Sequence, residues 1–312
     1  MSSHFVDRLL DAIRRKEVAA CVGLDPLIDR LPVVITGGQK SISSAGQAGQ
    51  ADMIRRYCLD VLDVVAPLVP SVKINIAFFE PFHSAGVAAY YDVVQQAAQA
   101  GLVVIGDVKR GDIGHSTAQY AVAHLSAAGP GGDGGAVPDA VTVSPYLGFD
   151  SIKPFAQIAQ DESKGLFVLV QTSNESAEAV QGLELADGRK LVEEMGRLVE
   201  SWAADPALVG QNGYSCIGAV VSPRDLASTD RLRTLMPHCF YLVPGFGAQG
   251  RTAQEVAYCF KKDGTGAIVN ASRSVIYAYE KPAYRADFGD DWKRCVERGC
   301  RDFAHQIRSL AR

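Results

Sequence analysis

Residues Ile105 to Ile113 read I-G-D-V-K-R-G-D-I and place two aspartates and a lysine at the end of an apolar run. That run, residues 102–105, is typical of a parallel strand covered on both faces. Side chains alternate along a regular strand, so we expect Asp107 and Lys109 to point the same way at its carboxyl end. Charges at that end are usually functional, which favours chemistry here over a solvated charge cluster.

Similar apolar runs recur along the chain and alternate with segments of helical periodicity. The predicted strands are residues 19–24, 71–76, 102–109, 140–144, 166–172, 216–222, 240–244 and 267–270. The predicted helices are residues 1–16, 54–65, 78–100, 116–127, 151–160, 191–202, 225–235 and 252–261. Eight strands, most of them followed by a helix, favour a (β/α)8 or TIM barrel over a doubly wound open sheet. We therefore predict an α/β protein with one domain, residues 1–312, and an extra N-terminal helix.

Two segments of biased composition are predicted to be loops. Residues 37–50 are rich in Gly, Ser, Gln and Ala, and we expect a mobile loop that leads into the next helix. Residues 129–135 read G-P-G-G-D-G-G, which predicts a surface loop without chemistry.

The composition excludes several classes of partner. With 31 basic and 35 acidic residues the net charge is -4, so we expect no binding of nucleic acid or anionic membranes. No run approaches the length of a membrane span, and the N-terminal helix is amphipathic, unlike a signal peptide. The seven cysteines are scattered, with no C-x-x-C pair, which predicts core residues of a cytoplasmic protein and no metal site.

The carboxyl ends of all strands meet on one face of such a barrel. This face would bring together five charged residues that are far apart in sequence, namely Asp25, Lys73, Asp107, Lys109 and Asp112. Lys73 lies in an apolar segment, so a buried partner is expected, although an edge strand with Lys73 facing water is the alternative. Alternating lysines and aspartates keep one another ionised, which suits a lysine that donates a proton better than one that attacks a carbonyl.

The last two predicted strands lead into a candidate phosphate site. Residues 244–250 read P-G-F-G-A-Q-G, and residues 270–273 read N-A-S-R. Loops after strands seven and eight commonly bind phosphate in barrels. The glycines let backbone N–H groups approach an anion, Gln249 adds an amide donor, and Arg273 can form a bidentate pair with phosphate oxygens. The alternative is an ordinary glycine-rich turn beside a surface arginine.

Together these segments resemble the orotidine 5′-phosphate decarboxylase family, in its longer bacterial branch. The D-x-K-x-x-D-I pattern of residues 107–113 is similar to the superfamily signature. L-D-P at 24–26 and V-K-I-N at 72–75 also match, and P-G-x-G-A-Q-G and N-x-S-R narrow the resemblance to the decarboxylase. The resemblance implies a cofactor-independent lyase that converts orotidine 5′-phosphate to uridine 5′-phosphate and CO2, the last step of de novo pyrimidine biosynthesis.

The resemblance also implies roles for individual residues. Lys109 is the proton donor to C6, Asp107 lies against the substrate carboxylate, and Lys73 bridges Asp107 and the ribose. Asp112 enters the site of the neighbouring subunit, which implies a homodimer with shared active sites. The implied substrate-binding residues are Asp25 and Thr117 at the ribose, Asn75 in the V-K-I-N segment, Ser173 at the pyrimidine amide, and Gln249 and Arg273 at the phosphate.

The chain departs from the family pattern at one position. The family has threonine four positions after the equivalent of Asp112, whereas this chain has Ser116 there and Thr117 next. The sequence therefore leaves open which of the two hydroxyl groups supports the ribose.

Other functions fit parts of the same pattern. A barrel aldolase would need a neutral Lys109 or Lys73, which the neighbouring aspartates oppose, and borohydride trapping would test it. A magnesium-dependent sugar-phosphate decarboxylase of the same superfamily keeps D-x-K-x-x-D, and EDTA would inhibit it. A non-catalytic nucleotide-binding barrel has no need of Lys109 between two carboxylates, and a turnover assay would distinguish it.

Overall fold

Eight parallel strands close into a barrel in sequence order, which confirms the predicted (β/α)8 fold. The computed structural model describes residues 4–129, 135–247, 252–308 and 310. The strands are β1 (Ala20–Leu24), β2 (Ser71–Asn75), β3 (Val103–Arg110), β4 (Ala140–Val143), β5 (Gly165–Gln171), β6 (Ile217–Val221), β7 (Tyr241–Val243) and β8 (Ala267–Ala271).

Helices surround the barrel and connect its strands. They are α1 (Phe5–Lys16), α2 (Val33–Thr36), α3 (Gln39–Ser44), α4 (Gly46–Val65), α5 (His83–Gln99), α6 (Gly114–Leu125), α7 (Phe149–Asp161), α8 (Ala177–Gln181), α9 (Leu191–Ala203), α10 (Leu226–Leu235), α11 (Ala253–Ala257), α12 (Arg273–Ile276), α13 (Pro282–Phe288) and α14 (Trp292–Arg308). The predicted extra N-terminal helix is α1, and its Phe5 packs edge-on against Phe167 near the start of β5.

The strands are buried on both faces, as their apolar sequences predict. Every residue of β1, β4, β6, β7 and β8 is buried, because side chains fill the barrel on one face and helices cover the other. Most of the buried apolar side chains form one hydrophobic core, with members from Phe5 in α1 to Ile307 in α14. All seven cysteines are buried and free, which confirms their prediction as core residues.

The predicted loop at residues 37–50 is wrong, because most of it is helical. Gly37 and Gly38 have positive φ and follow the end of α2. Gly46 also has positive φ and begins α4 after the end of α3. The residues between these glycines have sufficient helix propensity to form short helices, and the buried side chain of Ile42 packs α3 against the core. Turn-forming glycines therefore mark helix ends here and not a continuous loop.

Two predicted helices are clearly shorter than expected. Two 3₁₀ turns, Ile76–Phe78 and Glu80–Phe82, precede α5, and the second contains Pro81, so α5 starts at His83. The helix predicted at 252–261 is only the five residues of α11, after which Cys259 and Phe260 turn into the core. Residues 130–134 of the glycine-rich loop lie outside the described residues.

No helix in the described part of the chain is long and apolar enough to cross a membrane.

Candidate active site

The carboxylate of Asp107 lies between two ammonium groups at the carboxyl ends of β2 and β3. Lys73 Nζ is 2.5 Å from Asp107 Oδ2, and Lys109 Nζ is 2.5 Å from Asp107 Oδ1. The register of the barrel produces this arrangement, because Lys73 pairs with Ile105 and Asn75 with Asp107 across the two strands. Lys73 thus has the buried partner that its apolar surroundings require, and the alternative of an edge strand facing water is wrong.

Asp25 extends this row of alternating charges. It follows β1, and its Oδ1 atom is 3.8 Å from Lys73 Nζ, which is too long for a hydrogen bond. That oxygen is buried and has no hydrogen-bond partner among the described residues. A buried carboxylate oxygen without a donor is costly, so it is suited to receive a hydrogen bond from a ligand.

Neighbouring charges decide the ionisation of the central pair. Burial raises the pKa of Asp107, but attraction by Lys73 and Lys109 outweighs it and leaves that pKa well below its usual range. Burial likewise lowers the pKa of Lys73, but Asp107 and Asp25 outweigh it and leave that pKa above its usual range. Both side chains are therefore held in their charged forms.

The local geometry of β3 differs from the regular strand that we predicted. Lys109 has a φ of +42°, and the register between β3 and β4 shifts between Gly106 and Arg110. Asp107 and Lys109 meet as expected, but they do so within a bulge and not along a regularly alternating strand. The two lysines differ in access, since the side chain of Lys109 is 51% exposed and that of Lys73 only 7%.

These charges form one wall of a cavity of about 460 Å³ at the carboxyl ends of the strands. Seven of the predicted site residues line it, namely Asp25, Lys73, Asn75, Asp107, Lys109, Ser173 and Arg273. Gly245 and Gly247 after β7 have φ of +90° and +72°, a conformation that glycine adopts readily. Arg273 is exposed at the cavity and forms no ion pair with any carboxylate of the described residues, so its charge is available to an anion.

Two predicted site residues, Asp112 and Thr117, are not brought to this cavity. A third, Gln249, lies outside the described residues, so its position is not assigned. Asp112 is not part of the cavity wall, and its carboxylate accepts a hydrogen bond from the N–H of Ile113 next to it. Thr117 is fully buried in α6 and donates its hydroxyl hydrogen bond to the carbonyl of Ser151, whereas Ser116 is exposed. The position of Thr117 therefore argues against its predicted contact with a ligand in the same chain.

Sequence reasoning missed five polar residues of the cavity wall. Thr142 lies in β4, Thr172 and Asn174 follow β5, Asn270 lies in β8, and Ser272 follows it. A signal was present for Thr142, because it is a polar residue inside the apolar run A-V-T-V. Asn270 and Ser272 belong to the N-x-S-R segment, in which only the arginine was given a role.

Comparison with known proteins identifies the family. The family model described as orotidine 5′-phosphate decarboxylase / HUMPS family matches residues 17–287. The chain belongs to this family. It is 39% identical over 280 residues to orotidine 5′-phosphate decarboxylase of Rhodopirellula baltica, with 90% of each chain covered. It is 35% identical to the enzyme of that name from Clostridium novyi, covering 88% of this chain and 90% of the other.

A solved structure of the decarboxylase from Leishmania donovani has the same fold. It superposes with a TM-score of 0.72 at 26% identity and covers 99% of this chain and 98% of the other. Membership of the orotidine 5′-phosphate decarboxylase / HUMPS family thus extends over the barrel, and the resemblance first suggested by D-x-K-x-x-D-I is confirmed.

Proposed function

We propose that this chain decarboxylates orotidine 5′-phosphate to uridine 5′-phosphate and CO2, the last step of de novo pyrimidine biosynthesis. The observation that carries the proposal is the Asp107 carboxylate held between two ammonium groups on the wall of a cavity that also contains Arg273. Membership of the family supports the same reaction.

Lys109 is the proton donor in this proposal. Loss of CO2 breaks the bond from C6 to the carboxylate and leaves the electron pair on C6, where the pyrimidine ring stabilises it poorly. A preorganised ammonium next to the developing charge supplies the kind of stabilisation that is usually the largest in enzymes. Lys109 then transfers its proton to C6. We assign this role to Lys109 and not Lys73 because Lys109 is half exposed to the cavity and Lys73 is buried.

Asp107 has two roles in this proposal. It holds both ammonium groups, and its own low pKa keeps it ionised where it faces the substrate carboxylate. Repulsion between the two carboxylates would be relieved as CO2 leaves, which is a form of ground-state destabilisation.

The charges of the cavity wall support an anionic substrate. Three cationic side chains, Lys73, Lys109 and Arg273, face two carboxylates, Asp25 and Asp107. We propose that the phosphate binds Arg273, the backbone after β7 and Gln249. The ribose then contacts Asp25 and Lys73, Asn75 lies beside it, and Ser173 binds the pyrimidine amide.

We further propose a homodimer in which Asp112 completes the site of the partner subunit. Asp112 does not line its own cavity, and several large apolar side chains that follow β3 and β4 in sequence are exposed. These are Ile113 at 56%, Tyr146 at 85%, Leu147 at 45% and Phe149 at 40%. Such a surface is typical of a protein interface. The exposed Ser116, close to Asp112 in sequence, is better placed than the buried Thr117 to reach the partner's ribose.

We also propose that residues 1–312 act as one domain in the cytoplasm. The single hydrophobic cluster and the seven buried, free cysteines support this, since a reducing compartment keeps such thiols free.

The test is consumption of orotidine 5′-phosphate, followed by ultraviolet absorbance and CO2 release, in protein treated with EDTA and without added cofactor. We expect turnover under these conditions. Activity on sugar phosphates that requires magnesium would contradict the proposal and favour the other branch of the superfamily. Tight binding of the nucleotide without turnover would indicate a non-catalytic nucleotide-binding protein.

A further inference from the structure

The hydroxyl of Thr142 connects the two residues that carry the proposed chemistry. Its Oγ1 atom is 2.9 Å from Asp107 Oδ1 and 3.0 Å from the backbone nitrogen of Lys109. The residue is only 1% exposed, so solvent does not compete for these bonds. We propose that Thr142 is a positioning residue that holds the Asp107 carboxylate and the Lys109 backbone in the arrangement needed for proton transfer, an inference that rests on the function proposed above.

The chemistry of the two partners fixes the direction of both hydrogen bonds. The backbone N–H of Lys109 can only donate, and the ionised Asp107 carboxylate can only accept. The hydroxyl of Thr142 must therefore accept from Lys109 and donate to Asp107. One side chain satisfies both neighbours at once, and the bond to the carboxylate is charge-assisted and hence among the stronger kinds.

The position of Thr142 in the barrel explains why β3 needs this support. Gly106 pairs with Val141 and Arg110 pairs with Val143, so Thr142 lies opposite the extra residues of the bulge. Within that bulge Lys109 has a φ of +42°, which is unfavourable for a residue with a side chain. Lys109 is not among the residues of β3 that pair with β4, and the Thr142 side chain gives its N–H an acceptor.

Removing the hydroxyl should affect the reaction more than substrate binding. The Lys109 N–H would lose its acceptor. Asp107 Oδ1 would keep only its bond to the Lys109 ammonium, so the carboxylate and the ammonium could shift together. The position of the ammonium relative to the reacting carbon would be less well defined. Phosphate binding involves Arg273 and the loop after β7, which do not depend on this hydroxyl.

The experiment compares Thr142→Val, which keeps the volume but lacks the hydroxyl, with Thr142→Ser, which keeps the hydroxyl. We expect kcat for orotidine 5′-phosphate to fall between about tenfold and a hundredfold in Thr142→Val, with little change in KM or in the affinity for uridine 5′-phosphate. Thr142→Ser should retain most of the wild-type kcat. Thr229→Val is the matched control, because Thr229 is equally buried but lies in α10, where its hydroxyl donates to the carbonyl of Asp225 at the start of the same helix.

Three results would overturn the assignment of Thr142. They are an unchanged kcat in Thr142→Val, a change confined to KM, and a folded Thr142→Ser that is as slow as Thr142→Val. If Thr142→Val does not fold, Thr142→Ala and Thr142→Ser are compared in its place, since they also differ by the hydroxyl alone. Wild-type protein without turnover would instead refute the proposed function, so the two failures are distinguishable.

Discussion

Lys73 and Asp107 form a buried ion pair between neighbouring strands, with Nζ 2.5 Å from Oδ2 and each side chain only 7% exposed. Either charge alone would be costly at such a depth, because burial removes it from water. Each holds the other ionised, and Asp107 also pairs with Lys109. The charges are therefore in place before a substrate binds, which is the condition for preorganised electrostatic stabilisation.

The first prediction concerns the dependence of stability on pH. The pKa of Asp107 is lower in the folded chain than its unfolded value of about 3.9, so its stabilising effect is present above about pH 4 and is lost as pH falls through the folded value. The pKa of Lys73 is raised, so its contribution is present below about pH 10 and is lost only at higher pH. Neither group should contribute a pH-dependent change in stability between about pH 5 and pH 9.

Urea unfolding of the wild type and of Asp107→Asn measures this effect. We expect the wild type to be more stable at neutral pH and the difference between the two free energies of unfolding to shrink as the pH is lowered below about 4. A difference that stays constant through the acid range would show that Asp107 is not held ionised by its neighbours.

The second prediction is that Arg273→Ala weakens substrate binding more than catalysis. Its proposed partner is a phosphate remote from C6, so KM should rise by about tenfold to a hundredfold, with a smaller loss of kcat. In the wild type, free phosphite should restore activity on a substrate that lacks the phosphate group. In Arg273→Ala, phosphite should restore much less of that activity. Arg298→Ala is the control, because Arg298 lies on α14 in an ion pair with Asp302. Equal rescue by phosphite in the wild type and Arg273→Ala would contradict the phosphate assignment.

The third prediction tests the shared active site. Lys109→Ala and Asp112→Ala should each be inactive. When their subunits are mixed and re-paired, one active site of each mixed dimer carries both substitutions and the other active site carries neither. Random pairing should then restore roughly a quarter of wild-type activity. A tag on one variant, used to pull down the other, shows that subunits have exchanged. Exchange without recovered activity would mean that Asp112 acts within its own chain.

The fourth prediction concerns the fold. Arg233 in α10 is 8% exposed, and its guanidinium donates to the carbonyls of Met236, Cys239, Cys259 and Gly266. Arg233→Met would leave buried carbonyl groups unsatisfied, so the free energy of unfolding should fall by about 3 kcal/mol or more. The exposed Arg231→Met on the same helix should change it by less than about 1 kcal/mol. Equal effects in urea unfolding would show that the Arg233 contacts are not important for stability.

The sequence predicted the barrel because each strand is a short apolar run between helical segments, but it missed whole helices, among them α2, α3 and α14. It predicted the meeting of Lys73, Asp107 and Lys109 for the same reason, since parallel strands bring their carboxyl ends together. It did not predict the bulge at Lys109, because no glycine marks the positive φ there and the stabilising Thr142 comes from another strand. Nor did it predict that Thr117 would be buried, because the rotation of α6 depends on packing against α7.

The proposed role of Lys109 is tested by comparing the wild type with Lys109→Ala in the absorbance assay, with EDTA present and no cofactor. We expect wild-type turnover, and in the folded variant a fall of roughly a thousandfold or more in both kcat and kcat/KM, because the lost interaction forms only in the transition state. Circular dichroism and thermal unfolding establish that the variant is folded. A folded Lys109→Ala with near-normal kcat would contradict the proposal that Lys109 protonates C6.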